Sequence, residues 1–174
     1  MEGNTAWMLI STALVLFMVP GLALFYGGMV RSKNVLNMLN MNTYCLGIVP
    51  LLWVLLTFSL GNSGDGEGLE AFIGNLDALG LSDVKGTDAL IAVAFSMTFA
   101  AITPALIAGA VADRMKFSAW VVFVPVWSLL VYTPVFYWVY YGWHHSKLDP
   151  AAIDFAGGTA IHINAGVASL ALVL

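Results

Sequence analysis

Charge is scarce in this chain. Lys and Arg supply 6 of 174 residues and Asp and Glu 10, so 9% of the sequence is charged, against about 25% in a soluble domain. That deficit excludes an ordinary water-soluble globule. A net charge of −4 offers no basic surface, so no nucleic-acid partner is expected. A single cysteine, Cys45, excludes a disulfide within the chain. Set inside an apolar run, Cys45 reads as a small buried residue rather than redox or metal chemistry. No basic stretch precedes the first apolar run, which does not look like a cleaved signal peptide and is expected to be a retained span. The sequence also lacks a nucleophile–base arrangement, a phosphate loop and a metal cluster. Neither an enzyme nor a cofactor is expected.

What is present is apolar length. Hydrophobic residues make up 60% of the chain, and the mean hydropathy is +0.89. The charges fall at the ends of uncharged runs over 3–30, 34–64, 89–112, 117–146 and 155–174. Each run reaches the roughly 20 residues needed to cross a bilayer as a helix. The fold class is therefore an all-α polytopic membrane protein with five transmembrane helices, about 5–30, 35–60, 88–112, 118–141 and 155–174. Prolines and glycines within the spans permit bends and close packing without demoting the helices.

The loops divide by charge. Arg31, Lys33, Arg114 and Lys116 follow the first and third helices and so share a face, opposed only by Asp113. The other face carries Lys85 and Lys147 among nine acidic residues. Basic residues mark the cytoplasmic side. This predicts a cell-membrane protein with its N-terminus outside and loops 31–34 and 113–117 cytoplasmic. The glycine-rich acidic loop over 61–88 reads as a solvated linker, with Thr87 or Asp88 capping the third helix. Five crossings are an odd number. A second five-helix unit would start on the opposite side, the geometry of an inverted repeat with a substrate path between halves. The chain stops at Ser-Leu-Ala-Leu-Val-Leu with no flanking charge or interfacial aromatic, so a fragment lacking a second half is expected.

Within this frame a few polar residues stand out. Asp154 opens the last apolar run, followed by Gly157 and Gly158, with His162 further in. As a helix-capping acid, Asp154 suits the positive end of the helix dipole, and the same carboxylate could lower the cost of bringing a cation near. The two glycines would let another helix or a narrow pore approach the backbone. If the helix starts at Asp154, His162 lies about 12 Å deeper, where a titratable group is a functional hypothesis by default. A lone histidine in an apolar helix reads equally as a satisfied packing residue. Phe95 and Phe99 share a helix face at i, i+4, as lipid-facing or core residues or, near the outer face, as a gate offering π-faces to a cation. Asn37 and Asn40 are expected to bond to neighbouring helices, and His144 and His145 to be solvated.

The segment from Asp154 through Phe-Ala-Gly-Gly-Thr-Ala-Ile to His162, then Ile-Asn-Ala-Gly, resembles the signature of the ammonium transporters, relatives of the methylammonium permeases and Rhesus proteins. Pro20 to Asn34 resembles that family's first helix and inner loop. Phe95-Ser-Met-Thr-Phe99-Ala-Ala-Ile-Thr, with Ala112-Asp-Arg-Met-Lys-Phe-Ser118, resembles its third helix and following loop. These motifs occur in order and cover essentially the whole chain. The resemblance implies the N-terminal half of an 11-helix, five-plus-five inverted-repeat fold, assembled as a homotrimer in the lipid bilayer. It implies transport of ammonium or ammonia, and a cytoplasmic regulatory protein as a further partner. Phe99 matches an outer gating phenylalanine that also borders the recruitment site, and Phe95 the aromatic one turn before it. Asp154 matches the acid supporting the ammonium site, and His162 the first of two pore histidines. A tryptophan usual in the outer site is replaced by Tyr140, unless a shift brings Trp138 or Trp143 into that place. An ammonium sensor on the same fold and a passive channel for small neutral gases are the alternative functions.

Overall fold

A computed structural model describes residues 2–64, 67–151 and 153–174. Every regular element among them is helical. Helix α1 spans Glu2–Met29. Helix α2 follows a 3-10 turn at Ser32–Asn34 and comprises Val35–Leu52, a π turn at Trp53–Thr57, and Phe58–Asn62. Helix α3 spans Thr87–Ala108. Helix α4 covers 117–140 as Phe117–Trp127, a π turn at Ser128–Tyr132, and Thr133–Tyr140. Helix α5 is Gly158–Val173, shorter than the other four, which are each long and apolar enough to cross a membrane.

Helix α3 is the hub, touching α1, α2 and α5. Its small buried residues Ala100, Ala101, Ala105 and Ala108 let neighbouring backbones come close. Trp120 of α4 donates its indole N–H to the Met41 carbonyl of α2 at 2.9 Å, and the Tyr44 hydroxyl donates to the Val121 carbonyl at 3.0 Å. Cys45 is buried between them, as expected of a small apolar residue. Asn37 reaches the Met115 carbonyl at 3.5 Å, whereas Asn40 is exposed. The outer side of α1 presents Trp7, Leu14, Phe17 and Leu24. That apolar face fits lipid or protein, not water.

The π turns of α2 and α4 each open three residues after a proline, Pro50 and Pro125. Proline has no N–H, and its ring pushes away the carbonyl one turn back. Each helix resumes one residue out of step, with Phe58 N–H bonded to Trp53 O and Thr133 N–H to Ser128 O. Hydropathy alone carries no trace of this.

The predicted sharing of loops between ends is visible in the contacts. At one end Asp113 accepts from the Asn34 side chain at 2.5 Å and lies 3.9 Å from the Arg31 guanidinium, joining the loops after α1 and α3. At the other end Thr5 donates to Asp88 at 3.4 Å.

Three boundary expectations change. Gly86, not Thr87 or Asp88, occupies the cap position of α3, and no side chain caps it; Asp88 has already entered the first turn and serves Thr5. Helix α3 stops at Ala108 rather than 112, because Tyr26 packs against Gly109 and donates to the Leu106 carbonyl at 3.2 Å. The segment after α2 is no plain solvated linker. Gly74 N–H bonds to Leu60 O at 2.9 Å, and Asn75 N–H to Ser63 O at 3.0 Å. A Cβ at Gly74 would stand 2.1 Å from the Ser63 carbonyl, so only glycine permits this fold-back. Ser59 and the Tyr137 and Trp138 side chains bind further backbone groups of the loop.

Candidate functional site

The first half of α3, the second half of α4 and the segment leading into α5 enclose a cleft of about 410 Å³. Its walls are mainly aromatic: Phe95 and Phe99 from α3, and Tyr132, Phe136, Tyr140 and Tyr141 from α4 and the turn after it. Phe95 and Phe99 stack edge to face with ring centroids 4.9 Å apart at 79°. On the facing wall the rings of Tyr132 and Phe136 are 5.9 Å apart, and those of Phe136 and Tyr140 are 4.9 Å apart. These three residues recur at i, i+4 and i+8, hence on one helix face. Their quadrupoles offer negative π-faces to a guest.

Asp154 supplies the charge, beside Ala156, Gly157 and Ile161. One carboxylate oxygen, Oδ2, accepts the N–H groups of Thr159 at 3.0 Å and Ala160 at 2.9 Å. These are free donors of the first turn of α5, at its positive end. Asp154 thus caps the helix from outside, across an intervening turn. That turn needs Gly157, whose φ of +77° is left-handed and whose Cβ would lie 2.3 Å from Ile161 Cδ1. Gly158 faces open space. The other oxygen, Asp154 Oδ1, is buried without a hydrogen-bond partner. A buried carboxylate oxygen left unpaired is costly and gives the cleft an unspent acceptor.

The structure therefore brings together Asp154, Phe95, Phe99 and Tyr140. Trp138 is directed away, donating to the Phe72 carbonyl, and Trp143 packs on Trp138 and His144; neither lines the cleft. His162 lies on α5, is exposed, and is not among the cleft walls. Its expected depth also changes. With α5 starting at Gly158, His162 is four residues into the helix, about 6 Å rather than 12 Å, and that first stretch is a π turn over Gly158–Ile163.

Tyr132, Phe136 and Ser96 were not anticipated at this site. The four-residue spacing from Tyr132 to Tyr140 was the available signal, but an apolar helix carrying aromatics at that spacing reads equally as core. A second hollow, about 580 Å³, shares Phe95, Ser96 and Tyr141 with the cleft and reaches Asn62, Asp83 and Lys85 of the loop end.

Residues 6–174 match the sequence profile of the Ammonium Transporter Family. The chain is 47% identical to an ammonium transporter of Mycobacterium tuberculosis, covering 99% of this chain and 42% of that protein. It is 46% identical to an ammonium transporter of Aquifex aeolicus, covering 97% of this chain and 40% of that protein. The crystal structure of Candida albicans Mep2 superposes with a TM-score of 0.85 at 30% identity, covering 98% of this chain and 38% of that one. The chain thus spans about two-fifths of the length of the curated relatives it matches.

Proposed function

The chain belongs to the Ammonium Transporter Family, and on that premise we propose that it supplies the outer recruitment site and one wall of a pore that moves ammonium or ammonia across the cell membrane. The observation that carries the reading is the pairing of an aromatic cleft with an acid only half consumed by helix capping. Ammonium is a small cation with four N–H donors. Phe99 and Tyr140 offer π-faces, and cation–π contacts are worth about 0.5–2 kcal/mol each. Asp154 contributes negative potential from the edge of the same cleft.

Selectivity for passage follows from cost. Carrying a charged group to mid-bilayer costs at least about 2.5–3.5 kcal/mol. The Phe95–Phe99 pair offers neither a charge nor a proton acceptor, so the cation passes its proton on at or above that pair, either to water at the mouth or onward to His162, and continues as neutral ammonia. The pair acts as the gate. His162 can both accept and donate a hydrogen bond through its two ring nitrogens, and conducts the neutral molecule or relays its proton. Its exposed side chain fits a path completed by a second half of the protein. Gly157 shapes the entrance, and Gly158 leaves room for a packed neighbour. In this reading the N-terminus is outside, loops 31–34 and 113–117 face the cytoplasm, the complete protein forms a homotrimer, and a regulatory protein binds the inner face.

The test is ammonium- or methylammonium-evoked current from the full-length protein in liposomes, for the wild type and His162→Ala. Current in the wild type and altered flux or potassium rejection in the variant support the reading. Unchanged flux with unchanged selectivity removes His162 from the mechanism, and absence of both wild-type current and net ammonia uptake removes the transport reading.

A further inference from the structure

Behind the cleft three polar side-chain atoms lie buried with no hydrogen-bond partner: Trp53 Nε1, Ser128 Oγ and Tyr132 Oη. Their residues are 0%, 2% and 1% exposed. All three belong to the π turns of α2 and α4. Trp53 opens the first, and Ser128 and Tyr132 open and close the second. The turns face each other, with the Trp53 and Tyr132 rings 6.3 Å apart. Thr103 stands beside the Tyr132 hydroxyl and can accept its proton, but its own proton goes to the Phe99 carbonyl at 2.6 Å, so the Tyr132 oxygen still lacks a donor.

The three atoms are chemically complementary to water and not to an ion. Indole N–H only donates, while the two hydroxyls donate and accept. None of the three groups carries a formal charge that would hold a cation or an anion. Left dry, each group would forfeit the hydrogen bonds it makes in the unfolded chain, and buried waters characteristically satisfy two to four such groups. A π turn leaves room beside the backbone that a regular α turn closes, and such turns concentrate at functional sites.

We propose that the two facing π turns hold a fixed internal water, bound by Trp53 Nε1, Ser128 Oγ and Tyr132 Oη, and that this makes Tyr132 a positioning residue for the aromatic cleft. Tyr132 is the deepest ring of the ladder that continues through Phe136 to Tyr140. Anchoring its hydroxyl fixes the lowest rung, and with it the π-faces that meet the cation. The positioning role rests on the recruitment reading above; the water site does not.

Two measurements on the full-length protein test this. High-resolution crystallography should show a water within hydrogen-bond distance of at least two of the three atoms; direct pairing among the side chains, or a dry gap, overturns the site. Methylammonium uptake is then compared for wild type, Ser128→Ala and Tyr132→Phe. Both variants should raise the half-saturating concentration about three- to tenfold, the effect of one lost hydrogen bond, with maximal flux per folded protein retained. Unchanged half-saturation in both, or a fall only in folded yield and maximal flux, overturns the positioning role. If the wild type takes up no methylammonium, the transport reading and the positioning role fall together, while the crystallographic water still decides the site.

Discussion

Each end of the bundle has an aspartate at a helix boundary, and the two are used differently. Asp113 is fully spent. One oxygen takes the Asn34 amide and the other faces Arg31, through its backbone N–H at 3.5 Å and its guanidinium at 3.9 Å. Asp154 is half spent, with Oδ2 bonded to two backbone N–H groups and Oδ1 to none. Around Asp113 the partners are polar and basic, so its charge is neutralised where it stands. Around Asp154 they are aromatic rings, which leave the charge available. An acid at a helix boundary is therefore uninformative by itself; what distinguishes the two is whether all of its acceptors are committed.

The largest break in this comparison would come from Asp154→Ala, which removes the α5 cap and the charge together. Flux of methylammonium through the full-length protein is expected to be lost, and normal assembly with normal flux would refute both roles. Asp154→Asn separates them. Its carbonyl oxygen can still receive the Thr159 and Ala160 N–H groups, so folded yield should return while flux stays low.

Gly157→Ala comes next. It forces a side chain into a left-handed conformation at a cost of roughly 1–2 kcal/mol and drives a Cβ toward Ile161. The melting temperature should fall by a few degrees and flux by about tenfold, as the capping turn moves Asp154 relative to the rings. A variant with wild-type flux would show that the turn geometry is immaterial.

Tyr140→Trp should sharpen the outer site in the opposite direction. An indole is the better cation–π surface, and a gain of about 0.5–1 kcal/mol lowers the half-saturating concentration roughly two- to fivefold. No change would place the cation away from this ring.

The smallest effect is expected at the other acid. Asp113→Asn keeps an acceptor for Asn34 and loses only an exposed ion pair, worth about 0–1 kcal/mol. Flux should stay within about twofold of wild type by the same measure. A large loss of flux would end the contrast between the two ends.

The membrane class and the approximate spans were legible because burial in lipid forbids charge, and the charges mark where each run ends. The grouping of Asp154, Phe95, Phe99 and Tyr140 was legible through a resemblance carried by ordered motifs. The shape of the loop between α2 and α3 was not. Its fold-back depends on Gly74 and on side chains of Ser59, Tyr137 and Trp138 from distant helices, a tertiary arrangement that local composition cannot report. The start of α5 was misjudged because apolar content continues through 155–157, whereas the helix must wait for the glycine turn that lets Asp154 reach back. Tyr132 and Phe136 were overlooked because their spacing serves a core face as well as a cleft.

The π turn of α4 has a consequence for how the binding wall could be altered. Each residue of an α-helix advances the side chains by about 100°. The five residues Ser128–Tyr132 act as a phase adjuster between the buried first half of α4 and its ladder of rings. Straightening those residues into a regular helix with none removed would leave Phe136 and Tyr140 chemically intact, yet swing both through roughly a quarter turn. The aromatic wall would then face another neighbour, with composition and hydropathy almost unchanged.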